Sequence, residues 1–215
     1  MSVLNWVVTA FVAFALGVAI VYYLTVHPLQ MSIYLLISCV LAFGLALIVV
    51  WAFRGRMRVI AVALSLVAVL AGYYFMTERF LDREDPRPVP EITRAQNEHG
   101  HGRTAVVYFT HGEPETYDPI GWINQFREFE EQGIPFVPLL AKPVFIHQLR
   151  QKYLEVGMSR HRQVHHQMLS SLEKSYRDEG DDSTRFYIAF LDDDPRPDAA
   201  VVAALNDGAS EIIVS

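Results

Sequence analysis

The sequence predicts an all-α membrane anchor of three helices followed by an α/β segment built on a parallel sheet. Three observations lead there. Residues 1–77 carry no charged side chains except Arg54, Arg56 and Arg58. Three apolar runs in that part are each long enough for a bilayer, which needs roughly 20 apolar residues in a helix. Beyond residue 103, short β-branched and aromatic runs alternate with stretches of helical periodicity.

The first span is predicted over residues 3–26. No Lys or Arg occurs in residues 1–5, so the basic region of a cleaved signal peptide is missing. His27-Pro28-Leu29-Gln30 makes a tight connection to a second span over 31–53, and a third follows over 59–77. Backbone amides in lipid must bond internally, which makes all three helical. Gly17, Ala42, Gly44, Ala46, Ala61, Ala68 and Gly72 would let helices approach closely. Tyr22, Tyr23, Trp51, Tyr73 and Tyr74 sit near span ends, where interfacial aromatics belong. No carboxylate, Lys or His lies mid-span, so the spans read as an anchor rather than an ion pathway.

Charge divides the chain. Residues 1–77 carry +3 and residues 78–215 carry −9, which together make the net −6. An acidic second part argues against nucleic acid as a partner. The one cysteine, Cys39, falls in an apolar run, which excludes an intramolecular disulfide and a cysteine-based metal site. Sidedness stays open: Arg54, Arg56 and Arg58 favour a cytoplasmic first loop, while Arg79, Arg83, Arg87 and Arg94 favour a cytoplasmic second part.

Residues 78–103 read as a charged linker, extended by Pro86, Pro88 and Pro90. His99-Gly100-His101-Gly102 reads either as a weak metal site or as the solvated end of that linker. Residues 104–110 form the first strand, and His111-Gly112-Glu113-Pro114 the loop after it. Helices follow over 119–132, with Ile120, Ile123, Phe126 and Phe129 on one face, over 144–156, and over 159–178 with Ser159 as N-cap. A strand over 185–191, a helix over 198–206 and a strand over 211–215 complete the pattern. Strands alternating with helices imply a parallel sheet, with ligands bound beyond the carboxyl ends of the strands. The loops after the first two strands, 111–117 and 192–196, should converge there. The third strand ends at Ser215, so either the sequence is truncated or a second copy, in a homodimer, completes the site.

Three stretches make residues 104–215 resemble the N-terminal half of ferrochelatase, an α/β enzyme that inserts ferrous iron into protoporphyrin. The run from Ala105 to Thr116 is similar to the family's opening strand and its Gly-x-Pro-Glu-Thr loop. Lys152-Tyr-Leu-Glu-Val-Gly157 and the helix after it look like the segment that leads to the porphyrin-contacting loop. Phe186 to Ser215 keeps Pro197, the apolar residues 203–205, Gly208 and the residues 212–214 in register. The family's Gly-Ser-Pro is replaced by Met158-Ser159-Arg160, and Leu191-Asp192 stand where it has Arg-Tyr. The family's own metal-binding His and partner Glu belong to a second half, outside residues 104–215. Short cobalt chelatases, whose first strand ends in His-Gly-Ser, are similar at Thr110-His111-Gly112.

The resemblance implies a chelatase-like half-domain, apparently incomplete at its C-terminus, behind the transmembrane anchor. Its implied function is insertion of a divalent metal (Fe2+, or Co2+) as substrate into a porphyrin, with no tightly bound cofactor. His111 is the metal-ligand candidate, because it falls at a strand's carboxyl end and imidazole suits Fe, Co and Zn. Glu113 and Glu115 are candidate catalytic acceptors of the pyrrole protons. Tyr117, Phe145 and Tyr153 can flank a flat ring, although such residues more often belong to the core, and Ser159 and Arg160 stand in the porphyrin-contacting loop. His161 and His165, four apart, share a helix face and can chelate a metal, although a surface helix accounts for them without one. Asp192-Asp193-Asp194 reads as a hydrated cation site or a plain acidic loop. No P-loop, GxGxxG, GxSxG or HExxH occurs. Reduced metal and tetrapyrrole precursors are cytoplasmic, so the soluble part is expected on the cytoplasmic side of a bacterial inner membrane, with the lipid bilayer as a partner. The alternative is a non-catalytic chelatase-like membrane protein that binds haem, metal or a protein.

Overall fold

The computed structural model describes residues 2–83, 89–94, 102–134, 137–191 and 193–215. The expectations for Pro86, Arg87, Pro88, His99, His101 and Asp192 lie outside the described residues. The chain divides into two compact units, Met1–Glu84 with Tyr117–Glu155, and Asp85–Thr116 with Val156–Ser215.

The first unit is helical. Its helices α1 (Val3–Thr25), α2 (Met31–Ala52) and α3 (Arg56–Leu81) are each long and apolar enough to cross a membrane. The chain is therefore a membrane protein by the length and composition of these helices. A 3-10 turn, Pro28–Gln30, joins α1 to α2. The closest approach is between α1 and α3. A Cβ on Gly17 would lie 2.1 Å from the Val69 carbonyl oxygen, and one on Gly72 would lie 2.1 Å from that of Phe14. The two backbones touch at these glycines, as small residues in spans permit. Gly44, by contrast, has open space around it.

Polar groups in the spans are satisfied locally. The hydroxyls of Thr9, Thr25, Ser38, Ser65 and Thr77 each donate to the carbonyl four residues back. Arg58 turns back to donate to the Val50 and Phe53 carbonyls at 2.9 and 3.3 Å. One arginine of the basic loop thus caps the end of α2. The third helix runs past its expected end at residue 77 to Leu81, because Phe80 is packed in the unit's core at 2% exposure.

Helices α4 (Pro119–Glu131) and α5 (Lys142–Val156) form as the periodicity predicts, within a residue or two. The sequence groups them with the soluble segment. The structure packs residues 117–155 with the helical unit instead. Val21, Met76 and Phe80 share one core with Tyr117, Ile123, Phe126, Ile146 and Tyr153. The amphipathic face was legible in the sequence, but its partner was not. Arg150 is fully buried and donates from Nη1 to the Tyr23 and Val26 carbonyls at 2.8 and 2.9 Å. The Tyr117 hydroxyl donates to the Thr25 carbonyl at 2.9 Å, and Arg127 donates to that of Leu81 at 3.1 Å. These side chains satisfy carbonyls that the ends of α1 and α3 leave unpaired.

The second unit holds a three-stranded parallel sheet in the order β2-β1-β3, with β1 Arg103–Thr110, β2 Arg185–Phe190 and β3 Ala209–Val214. The register pairs Val107 with Tyr187 and Val214, and Tyr108 with Ile188. One face carries Ala105, Val107 and Ala189 against Ala200 and Ala204 of α7 (Pro197–Asn206). The other carries Tyr108, Phe186 and Phe190 against α6 (His161–Asp178). Part of the expected linker is pinned here. Asn206 Oδ1 accepts from the Thr93 amide at 2.8 Å, and Arg94 donates to the Ala209 carbonyl at 2.9 Å.

Candidate functional site

The parallel sheet sends the chain beyond β1 and β2 at the same edge. His111 follows β1 directly and is exposed, as is Glu113, while Glu115 is half-buried. The segment that enters α6 meets this loop. Ser159 Oγ donates to Glu113 Oε2 at 2.6 Å, and the Ser159 amide donates to the Glu115 carbonyl at 2.9 Å. Ser159 is not the N-cap, a place taken by Arg160, but its hydroxyl still accepts from the His161 amide at 3.2 Å. It ties the first loop to the start of α6.

A second tie joins α6 to the loop after β2. Arg162 forms a two-pronged pair with Asp193, Nε to Oδ2 at 3.0 Å and Nη2 to Oδ1 at 2.5 Å. The hydrogen bond to Asp193 raises the guanidinium's pKa further above its usual range. Asp193 is thereby neutralised by a fixed cation, which agrees with the plain acidic loop rather than the hydrated cation site, the two readings this loop offers in sequence. Beside the pair runs an open groove of about 610 Å³, lined by Glu115, Arg162, Gln163, His166 and Gln167 among others.

The third feature is a chain of rings. Tyr108 Oη lies 3.1 Å from His165 Nδ1, and His165 Nε2 lies 3.2 Å from His161 Nε2. Phe190 packs beside both imidazoles, at centroid distances of 6.2 and 6.4 Å. His161 Nδ1 is buried without a hydrogen-bond partner. Burial lowers the pKa of His165, and His161 beside it adds to this. The spacing of four flagged the two histidines. Tyr108 was out of reach of sequence reasoning, because only the packing of β1 against α6 brings it there.

Not all expected site residues meet at this edge. Tyr117 and Tyr153 are buried in the core of the helical unit, at 7% and 8% exposure, with their rings 6.4 Å apart. Burial is the chief cause that pushes the Tyr117 phenol well above its usual pKa. Phe145 packs edge-on against Trp122 and Phe126 in the same unit. Arg160 is exposed beside Ser159. Among the described residues, no group of three or more His, Cys, Asp or Glu side chains is arranged to hold a metal ion. The pieces that do converge are a carboxylate steadied by a serine, a neutralised Arg–Asp pair and a histidine pair. Comparison with family models, curated proteins and solved structures finds no match to this chain.

Proposed function

We propose that this membrane protein is a tetrapyrrole metal chelatase of ferrochelatase type, held at the bilayer by α1–α3. One observation carries the reading. The two loops on which the resemblance rests, 111–116 and 157–160, are joined by Ser159 through Glu113 and the Glu115 carbonyl. They are joined beyond the carboxyl end of β1, where parallel sheets place ligands.

In this reading His111 offers an imidazole nitrogen to the divalent metal. The two pyrrole N–H protons leave as the metal enters, with Glu113 and Glu115 as acceptors. Ser159 donates to Glu113 Oε2 and so fixes the orientation of that carboxylate. In this reading the soluble part faces the cytoplasm of a bacterial cell and works as a homodimer.

A second reading is a chelatase-like protein that binds haem, metal or a protein partner without catalysis. The burial of Tyr117 and Tyr153 in the helical core favours it, since neither ring is left to flank a macrocycle.

The test is porphyrin metallation by the full chain in detergent or liposomes, followed by the change in porphyrin fluorescence on addition of Zn2+ or Fe2+. Insertion should be lost in His111→Ala and slowed about a hundredfold in Glu113→Gln, within the usual range for a general base. Porphyrin binding without insertion in the wild type would support the non-catalytic reading. Neither binding nor insertion would remove the tetrapyrrole altogether.

A further inference from the structure

We infer that His161 and His165 form a binding site for a divalent transition-metal ion, built on the first turns of α6 and distinct from His111. The inference does not rest on the chelatase reading. Its basis is geometric. The two Nε2 atoms lie 3.2 Å apart, with the ring centroids 4.3 Å apart. An ion about 2.0–2.1 Å from each imidazole nitrogen would subtend roughly 100° at that separation, close to a tetrahedral angle. A rotation of the two rings, whose planes stand 48° apart, about their side-chain torsions turns both Nε2 lone pairs toward the ion without moving the backbone.

Proton accounting agrees. Two neutral imidazoles that meet through Nε2 must share one proton, one ring donating and the other accepting. A bound ion takes the place of that proton. Each ring then carries its single proton on Nδ1 and turns the Nε2 lone pair to the metal, with no net proton released. His165 Nδ1–H then donates to Tyr108 Oη, 3.1 Å away. A donor–acceptor contact of this kind is the usual support that orients a ligating histidine.

Two features oppose the site. His161 Nδ1, which would carry that ring's proton, is buried without an acceptor, and the N-terminus of α6 disfavours a cation. Beyond the neutral Arg162–Asp193 pair, the carboxylates of Glu115 and Asp194 act on Arg162 and bring negative charge to this end of the helix. Two protein ligands leave the remaining positions to water, and imidazole selects Ni2+, Cu2+, Zn2+ or Co2+ over Mg2+ and Ca2+.

The test is Ni2+ titration of the tag-free full chain in detergent micelles, read by calorimetry and by the metal-dependent rise in melting temperature. Wild type should bind one ion here. His161→Ala and His165→Ala should each weaken it by at least about tenfold, and Tyr108→Phe by up to about tenfold through loss of the supporting hydroxyl. His111→Ala should leave this ion in place. Absence of Ni2+ binding by the wild type, wild-type affinity retained in both histidine variants, or loss in His111→Ala alone would overturn the site. Should either histidine variant lose its fold, Tyr108→Phe decides: it keeps the ring and the strand, and an unchanged affinity there refutes the geometry.

Discussion

At the scale of residues, Arg150 is the position whose role most exceeds its appearance in the sequence. It stands in an ordinary amphipathic pattern, yet it is fully buried and supplies donors to the Tyr23 and Val26 carbonyls. Burial lowers its pKa, although a guanidinium stays charged regardless. Its Nη2 also donates to His147 Nδ1 at 2.6 Å, which requires that nitrogen to be unprotonated. Arg150→Ala is expected to destabilise the helical unit by about 3 kcal/mol, because it leaves two helix-end carbonyls buried and unpaired. Arg150→Lys should recover less than half of that, since an ammonium lacks the planar fork. Thermal unfolding in micelles measures both, and a loss below about 1 kcal/mol for the alanine variant would show that water satisfies those carbonyls. The same contact sets a pH dependence. Burial first, and then the charge of Arg150, lower the pKa of His147 below its usual 6.5. The unfolded chain therefore binds the proton more readily than the folded one. The stability tied to neutral His147 is full above about pH 6.5 and is lost as pH falls through the lowered folded value.

At the scale of elements, contact geometry sorts glycines that look alike in sequence. Gly17, Gly44 and Gly72 all read as small residues for close helix packing. Only Gly17 and Gly72 meet a neighbouring backbone, while Gly44 faces open space. Gly72→Val should push α3 off α1, since even the first side-chain carbon would sit 2.1 Å from the Phe14 carbonyl oxygen. The expected outcome is a melting temperature in micelles lowered by more than 10 °C, or failure to purify as a folded species. Gly44→Ala should be neutral or stabilising by up to about 1 kcal/mol, from helix propensity alone. If both substitutions behaved alike, the α1–α3 contact would not be where the glycines place it. The strands tell a similar story. Their β-branched and aromatic composition announced each of them, but the order β2-β1-β3 is set by which edges of β1 are filled, and no strand carries that information alone.

At the scale of the whole molecule, the helical unit fixes which ends of the spans lie together. Residues 117–155 pack on the ends of α1 and α3, so the α1–α2 turn shares a side of the bilayer with them. Arg54 and Arg56, between α2 and α3, take the other side. Charge counting alone leaves this arrangement free to face either way. The proposed chemistry requires the soluble residues in the cytoplasm, where reduced metal is available. A fluorescent protein that matures only in the cytoplasm, fused after residue 100, should be bright, and alkaline phosphatase at the same point should be inactive. The reverse pattern would put the soluble residues outside and remove the supply of substrate.

The sequence by itself determined the three spans, the α/β alternation, the parallel strands and the loop that follows β1. Each rests on local periodicity, on length or on turn residues, and such signals act over one or two turns of chain. Tertiary structure alone decided that residues 117–155 belong with the spans, that Ser159 reaches Glu113, that Arg162 neutralises Asp193, and that Tyr108 stands behind His165. The physical reason is common to all four. An amphipathic face or a polar side chain declares that it needs a partner, but many partners of suitable chemistry exist along the chain. Which of them is met depends on the packing that buries the most apolar surface while leaving no helix-end carbonyl unpaired.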